Sequence, residues 1–251
     1  SSCNLWKDKN LFVFMIANPV SGGFTRKKIA KKNKSILESA SNVAKETSVV
    51  VKSVEFTLFE TEYAGHGDEF VNTIFDFYKD NCVGNSENKI LIITAGGDGT
   101  SHEVQSALIK LINESEENKK NIAKDFCVFR LPFGTGNDGS DGRNLEESLL
   151  RLNFPAHIEL QKAVKVSCQG KNSKKDSWFA FNIASIGIDA FITHMTNKMK
   201  SKLPGDFYKL WVDLACVFYT WFYKTVPAFM ELFKENNSIV IDLDKYKDKK
   251  V

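Results

Sequence analysis

The pentapeptide Gly96-Gly97-Asp98-Gly99-Thr100 holds the chemistry that is most readable from residue type alone. Glycines let a backbone approach a ligand closely and adopt positive φ angles that a side chain obstructs. Successive amides then point at phosphate oxygens, and a helix starting behind them adds its positive N-terminal end. An aspartate inside such an anion-binding loop is out of place unless the site needs a cation or a proton acceptor. Thr100 either caps the following helix or donates its hydroxyl to a phosphate. Taken alone, the pentapeptide reads equally well as an ordinary strand-to-helix turn.

Two more turns of small residues share that setting. Asn18-Pro19-Val20-Ser21-Gly22-Gly23 follows the apolar run Leu11–Ala17. Pro132-Phe133-Gly134-Thr135-Gly136-Asn137-Asp138 follows Phe126–Leu131, just as the first loop follows Lys89–Ala95. None of the three is a Gly-x-x-x-x-Gly-Lys-Ser/Thr loop, and none fits Gly-x-Gly-x-x-Gly with a later acidic ribose ligand.

The elements that must position these turns follow from hydrophobic period. The three apolar runs read as strands, and Ser48–Leu58 as another before the Thr61–Asp68 loop. Lys27–Lys45, Asp68–Lys79 and Ser101–Glu114 read as helices. Strands alternating with helices predict an α/β fold, a parallel sheet covered on both faces. Ligands of such sheets sit beyond the carboxyl ends of the strands, so all three turns converge on one crevice.

The rhythm changes near Pro155. His157–Gln169 and Ser177–Ile186 read as strands, with a third after Gly187. Phe207–Phe233 reads as a helix broken at Pro227, and Ser238–Leu243 as a last strand. The division is therefore an α/β domain at 9–154 that carries the three small-residue turns and an antiparallel, β-rich second domain at 155–251, incomplete at its C-terminus.

Composition narrows the function classes. A chain of 251 residues that is 43% hydrophobic can bury a proper core. A formal charge of +3 creates no strong field for nucleic acid, so no nucleic-acid partner is expected. Five cysteines without a Cys-x-x-Cys pair argue against a disulfide framework or zinc site and for a reducing, cytoplasmic compartment. Leu11–Ala17 runs straight into Asn18-Pro19 with no cleavage pattern, so it reads as a buried strand and not a signal peptide. Phe207–Tyr223 carries Lys209 and Asp213 and does not read as a membrane span.

Four ordered motifs carry a resemblance. They are Asn18-Pro19-x-Ser21-Gly22-Gly23, Thr61-Glu62-x-x-Gly65-His66, Gly96-Gly97-Asp98-Gly99-Thr100-x-x-Glu103 and Pro132-x-Gly134-Thr135-Gly136-Asn137-Asp138. Asn182-x-Ala184-x-Ile186-Gly187-x-Asp189-Ala190 is a weaker fifth. Through them the sequence resembles the diacylglycerol kinase-like lipid kinases, which include sphingosine and ceramide kinases and share an NAD kinase-like fold.

That resemblance implies ATP and Mg2+ as cofactors and a lipid alcohol as substrate, diacylglycerol most of all. It implies that Asn18, Ser21, Gly22 and Gly23 edge the nucleotide, that Thr61 contacts it, and that Gly96, Gly97, Asp98, Gly99 and Thr100 cradle its phosphates. Gly134 and Thr135 close the pocket, and Glu103 is the acidic residue of the next helical turn. Asp98 is the implied catalytic residue, acting through a metal–water network or as a base. Further metal contacts and a glutamate base are implied near the C-terminal end, beyond Val251. The other functions weighed are sphingosine or ceramide kinase, a noncatalytic nucleotide- or lipid-binding module, and NAD kinase. Gly139 stands where relatives often carry an aromatic, and His102 where they often carry Asn.

Two surfaces remain. Arg26, Lys27, Lys28, Lys31, Lys32 and Lys34 crowd one helix, either as a solvated face or facing an anionic membrane. Phe207, Leu210, Trp211, Leu214, Phe218 and Trp221 recur at helical spacing, either as core or as interfacial contact. A peripheral position at the inner membrane surface is compatible with both.

Overall fold

The computed structural model describes residues 5–46, 51–115, 119–134, 137–153, 158–159, 161–167, 177–185, 187–200, 214, 217–219, 221, 229–234 and 237–242. The chain divides into two compact units, Ser1–Ala184 and Ser185–Val251. In the first, β1 (Asn10–Ala17), β2 (Ser53–Glu60), β3 (Asn88–Gly96) and β4 (Phe126–Pro132) form one parallel sheet in the order β2-β1-β3-β4.

Sequence dictates which strand sits centrally. Lys89–Gly96 has almost no polar side chain, as a strand covered on both faces requires. Ile90 and Ile92 point into one core layer with Phe14, Ile16, Val71, Ile74 and Val104. Leu91, Ile93 and Ala95 point into the other with Leu11, Val13, Leu131 and Leu145. Ile16, Ile90 and Ile92 are fully buried, each contributing about 1.5–3 kcal/mol, so the sheet is stiffest at β1 and β3. β2 is an edge strand and stays largely exposed.

Helices cover both faces. α1 (Gly22–Thr25) and α2 (Lys27–Glu46) connect β1 to β2, and α3 (His66–Asn81) connects β2 to β3. α3 buries Val71, Ile74, Phe75 and Tyr78, the stripe of an amphipathic helix. Gly65 precedes it in the left-handed conformation at φ +93°, which a side chain would strain. Asp68 and Glu69 in its first turn and Lys79 in its last complement the helix dipole. α4 (Asp98–Glu114) and α5 (Lys119–Asp125) lead to β4, and α6 (Leu145–Asn153) follows it.

A mixed α/β unit with a four-stranded parallel sheet is what the alternation predicts, and it agrees with an NAD kinase-like fold. Other expectations are corrected. α4 starts at Asp98, not Ser101, because Gly97 is extended and the Ser101 N–H reaches Gly97 O at 3.2 Å. β2 starts at Ser53, and residues 47–50 lie outside the described residues. The antiparallel pair β5 (Val164–Ser167) and β6 (Ser177–Ala180) is shorter than expected and ends the first unit. Residues 157, 160, 168, 169 and 186 of those expected strands lie outside the described residues. α5 and α6 are short and were not anticipated.

In the second unit the strand expected after Gly187 is instead a helix, α7 (Ile188–Lys200). Ile188, Phe191, Ile192 and Met195 have helical spacing, and Gly187, at φ +75°, makes the turn into it. The helix expected at 207–233 does not reach Phe233. β7 (Phe229–Lys234) lies there and pairs antiparallel with β8 (Asn237–Asp242). Leu214, residues 217–219 and Trp221 are helical, whereas Phe207, Leu210 and Trp211 of the aromatic stripe lie outside the described residues. No helix among the described residues is long and apolar enough to cross a membrane.

Candidate functional site

Register brings the strand ends level. Ala17 pairs with both Glu60 and Ala95, and Gly96 with Pro132. The chain leaves β1 towards β2 on one side and returns to β3 on the other, so the strand order reverses between β1 and β3. Ligands of open parallel sheets bind at that reversal, outside the carboxyl ends. The turns after β1 and β3 flank it.

Hydrogen bonds carry the ladder past the strands. Asn18 N–H donates to Ala95 O at 2.9 Å, and Thr61 N–H to Ala17 O at 2.8 Å. Asn18 Nδ2 donates to Thr100 Oγ1 at 3.2 Å, joining the turn after β1 to the first turn of α4. Gly23 N–H donates to Phe133 O at 2.8 Å, joining it also to the turn after β4. A Cβ on Gly23 would lie 2.5 Å from the Phe133 ring, so only glycine permits this contact. The Ser21 hydroxyl is buried and has no hydrogen-bond partner among the described residues.

The turns after β3 and β4 touch backbone to backbone. A Cβ on Gly134 would lie 2.6 Å from Gly97 Cα. Asn137, in the left-handed conformation at φ +62°, accepts the Gly134 N–H on Oδ1 at 2.6 Å. Asp98 Oδ1 accepts the Gly139 N–H at 2.9 Å, and Oδ2 the Asp138 N–H at 3.4 Å. Arg130 and Asp141 pin the loop's far end through Nη2–Oδ1 at 2.7 Å and Nε–Oδ2 at 3.2 Å.

Because α4 begins at Asp98, its first amides have no intrahelical acceptor. Among the described residues, a Cβ on Gly99 would meet nothing within 4 Å, and one on Gly97 only Gly134 Cα at 3.4 Å. No side chain at 97 or 99 therefore blocks approach to this helix start, and helix N-termini favour anionic ligands. Thr100 is buried with Oγ1 engaged by Asn18, so its hydroxyl binds two turns together. Among the described residues, no group of three or more His, Cys, Asp or Glu could hold a metal ion. A divalent cation here would take most of its oxygens from a polyphosphate and from water, as magnesium usually does.

Glu103 reaches sideways. Its Oε1 accepts the Gly67 N–H at the start of α3 at 2.6 Å, tying α4 to the turn that carries Thr61. In that turn His66 Nδ1 accepts the Glu62 N–H at 3.2 Å, which fixes the proton of a neutral ring on Nε2. Its ring lies between Tyr63 and Phe70, with centroids 4.4 and 4.2 Å away. His102 Nε2 meets Phe179 O at 2.8 Å, linking α4 to β6.

The structure thus brings together Asn18, Ser21, Gly22, Gly23, Thr61, Gly96, Gly97, Asp98, Gly99, Thr100, Glu103 and Gly134 at one edge of one sheet. Thr135 lies outside the described residues. Sequence reasoning assigned no role to Asn137, Gly139 or Asn182. A Cβ on Gly139 would lie 2.6 Å from Asn182 Nδ2, so a side chain there requires Asn182 to swing away. The signal for Asn137 was present, since asparagine is enriched in left-handed positions of tight turns. A cavity of about 370 Å3 adjoins this loop, lined by Asn137, Ser140, Asp141, Gly142, Arg143 and Arg151. It shares Asn137 and Asp141 with the contacts above.

The sequence pattern of the diacylglycerol kinase catalytic domain matches residues 12–176, well over half of the chain and all of the loops described.

Proposed function

This chain belongs to the diacylglycerol kinase catalytic domain family, a family of kinase-type phosphotransferases, and on that premise we propose that it transfers the γ-phosphoryl group of ATP to the hydroxyl of a lipid, diacylglycerol foremost. The observation that carries the proposal is the junction of three glycine-bearing turns at the β1/β3 reversal, with no side chain at Gly97 or Gly99 at the start of α4. Phosphoryl transfer asks the protein mainly for positioning and for stabilisation of charge.

In this proposal the amides of residues 97–99 and the N-terminal end of α4 hold the phosphates. Asn18, Ser21, Gly22, Gly23, Thr61, Gly134 and Thr135 edge the nucleotide, with Gly96 and Thr100 shaping the loop beneath it. Asp98 is the one carboxylate inside the loop; it would hold magnesium through water or take the alcohol proton. Glu103 positions the turn carrying Thr61 through Gly67. Magnesium would supply neutralisation of the phosphate charge. The domain division at 154/155 and a peripheral position on the inner membrane surface belong to the same proposal.

A noncatalytic nucleotide-binding role is the second reading. It is favoured by the Asp98 carboxylate, which already accepts two backbone N–H groups. Incubating the protein with radiolabelled ATP, magnesium and a panel of diacylglycerol, sphingosine and ceramide separates the two. Labelled phosphatidic acid is the expected product. ATP binding without any labelled lipid would favour the noncatalytic role.

A further inference from the structure

A second surface begins where the turn after β1 ends. Between Asp8 and Glu38 the chain has no carboxylate, yet it carries Arg26, Lys27, Lys28, Lys31, Lys32 and Lys34. The whole chain nets only +3, so the remainder is net negative and the cationic charge is concentrated here. The five lysines are all exposed. Lys32 reaches Glu146 at 3.6 Å; Lys27, Lys28, Lys31 and Lys34 make no ion pair among the described residues.

Burial fixes which way α2 faces. Asn33 is 8% exposed and donates to Gly23 O at 3.0 Å, and Ala30 and Ile36 are half-buried on the same side. At roughly 100° per residue, Lys28, Lys31 and Ser35 fall opposite them. A helix that crosses from one parallel strand to the next starts at the carboxyl edge, so the first turn of α2 stands at the rim of the candidate site. Apolar side chains share this rim: Val20 is 78% exposed, and Phe24 and Ile29 are also exposed. Cations alone would suit RNA or an acidic protein equally. Cations around a protruding aliphatic side chain suit a bilayer, where the lysines meet lipid phosphates and the apolar tip enters the headgroup layer.

We propose that the turn at residues 20–26 and the outward face of the first turns of α2 dock on an anionic lipid bilayer, with Val20 at the tip and Lys27, Lys28, Lys31 and Lys34 on the phosphates. This rests on the lipid-kinase proposal and names where the protein meets the surface that holds its substrate. Co-sedimentation with phosphatidylcholine vesicles, with or without phosphatidylserine, tests it without any turnover. Binding is expected only to the anionic vesicles and is expected to be lost at high salt. A Lys28→Glu, Lys31→Glu, Lys34→Glu variant should lose about a hundredfold in partitioning, with melting temperature unchanged. Val20→Asp should lose about tenfold. Equal binding to neutral vesicles, or undiminished binding by the triple variant, would overturn the proposal. So would capture of an RNA oligomer or polyglutamate without vesicle binding. ATP binding in vesicle-free solution reads the nucleotide site separately, so a failed kinase and a failed docking surface give different results.

Discussion

The Asp98 carboxylate and the Gly139 N–H, forty-one residues apart, are hydrogen-bonded at 2.9 Å. One side chain therefore both opens α4 and holds the loop after β4. Structural and chemical roles can be separated there. Asp98→Asn keeps an oxygen that accepts the Gly139 N–H but removes the charge. We expect its melting temperature to stay within about 3 °C of the parent and its lipid phosphorylation to fall about a hundredfold or more. Asp98→Ala loses both roles and should cost a further 1–2 kcal/mol or so of stability. Turnover by the Asn variant within a factor of two of the parent would remove Asp98 from the chemistry.

Glycine substitutions distinguish ligand space from packing space. Gly134→Ala drives a methyl group to 2.6 Å from Gly97 Cα, which is backbone and cannot swing away, and to 2.9 Å from Asn137 Oδ1. Destabilisation of about 1–3 kcal/mol is expected in urea unfolding. Gly99→Ala meets nothing within 4 Å among the described residues and lies in a helical turn, so the fold should tolerate it or gain slightly. Its ATP affinity, read by titration calorimetry, should nevertheless fall about tenfold if phosphates lie against that amide. Gly97→Val should act on affinity in the same way without unfolding the protein. Unchanged affinity in both variants would move the nucleotide elsewhere.

Arg130 and Asp141 offer a stability test away from Gly97 and Gly99. Their side chains are 15% and 27% exposed and meet through two parallel bonds. Arg130→Ala removes the guanidinium from a half-buried carboxylate, leaving it only the backbone N–H of residue 130 at 2.7 Å among these contacts. The expected loss is about 2–4 kcal/mol, less than for a fully buried pair because water still reaches Asp141. Arg130→Lys should recover only part, since an ammonium cannot reproduce the fork. A wild-type denaturation midpoint in the Ala variant would show that the loop does not depend on this pair.

Two thiols predict a pH dependence. Burial pushes both Cys82 and Cys127 up to about 11 from an ordinary 9.0. Each is neutral in the fold at pH values where the unfolded chain would ionise it. Their contribution to stability is complete below about pH 9 and is lost as pH rises towards 11. Alkylation mapped by mass spectrometry at pH 8 should leave Cys82 and Cys127 unmodified in the native protein and modify them in urea. Rapid native labelling at either site would contradict the burial that sets these values.

The sheet was legible in the sequence because a parallel strand covered on both faces has to be a continuous apolar run. Lys89–Gly96 is such a run, and no helix signal competes with it. Asn18 and the Gly96–Thr100 loop were legible because close backbone approach demands small residues in fixed order. Less visible was what each polar side chain does once folded. Thr100 has the chemistry to hold a phosphate, yet its hydroxyl faces Asn18; Glu103 has the chemistry to hold a cation, yet it receives Gly67. Those partners lie 82 and 36 residues away, beyond any local pattern. α7 was misread for the opposite reason. The succession of strands after Pro155 suggested one more, while the 188/191/192/195 spacing already encoded a helix.

The bonds from Asn18 to Thr100, Gly23 to Phe133, Gly139 to Asp98 and Gly67 to Glu103 close into one mesh across four loops. Such a mesh opens as a unit. A ligand touching only the Gly97–Gly99 amides would therefore slow deuterium uptake at Gly23, Gly67 and Gly139 as well, by a common factor set by its concentration over its dissociation constant.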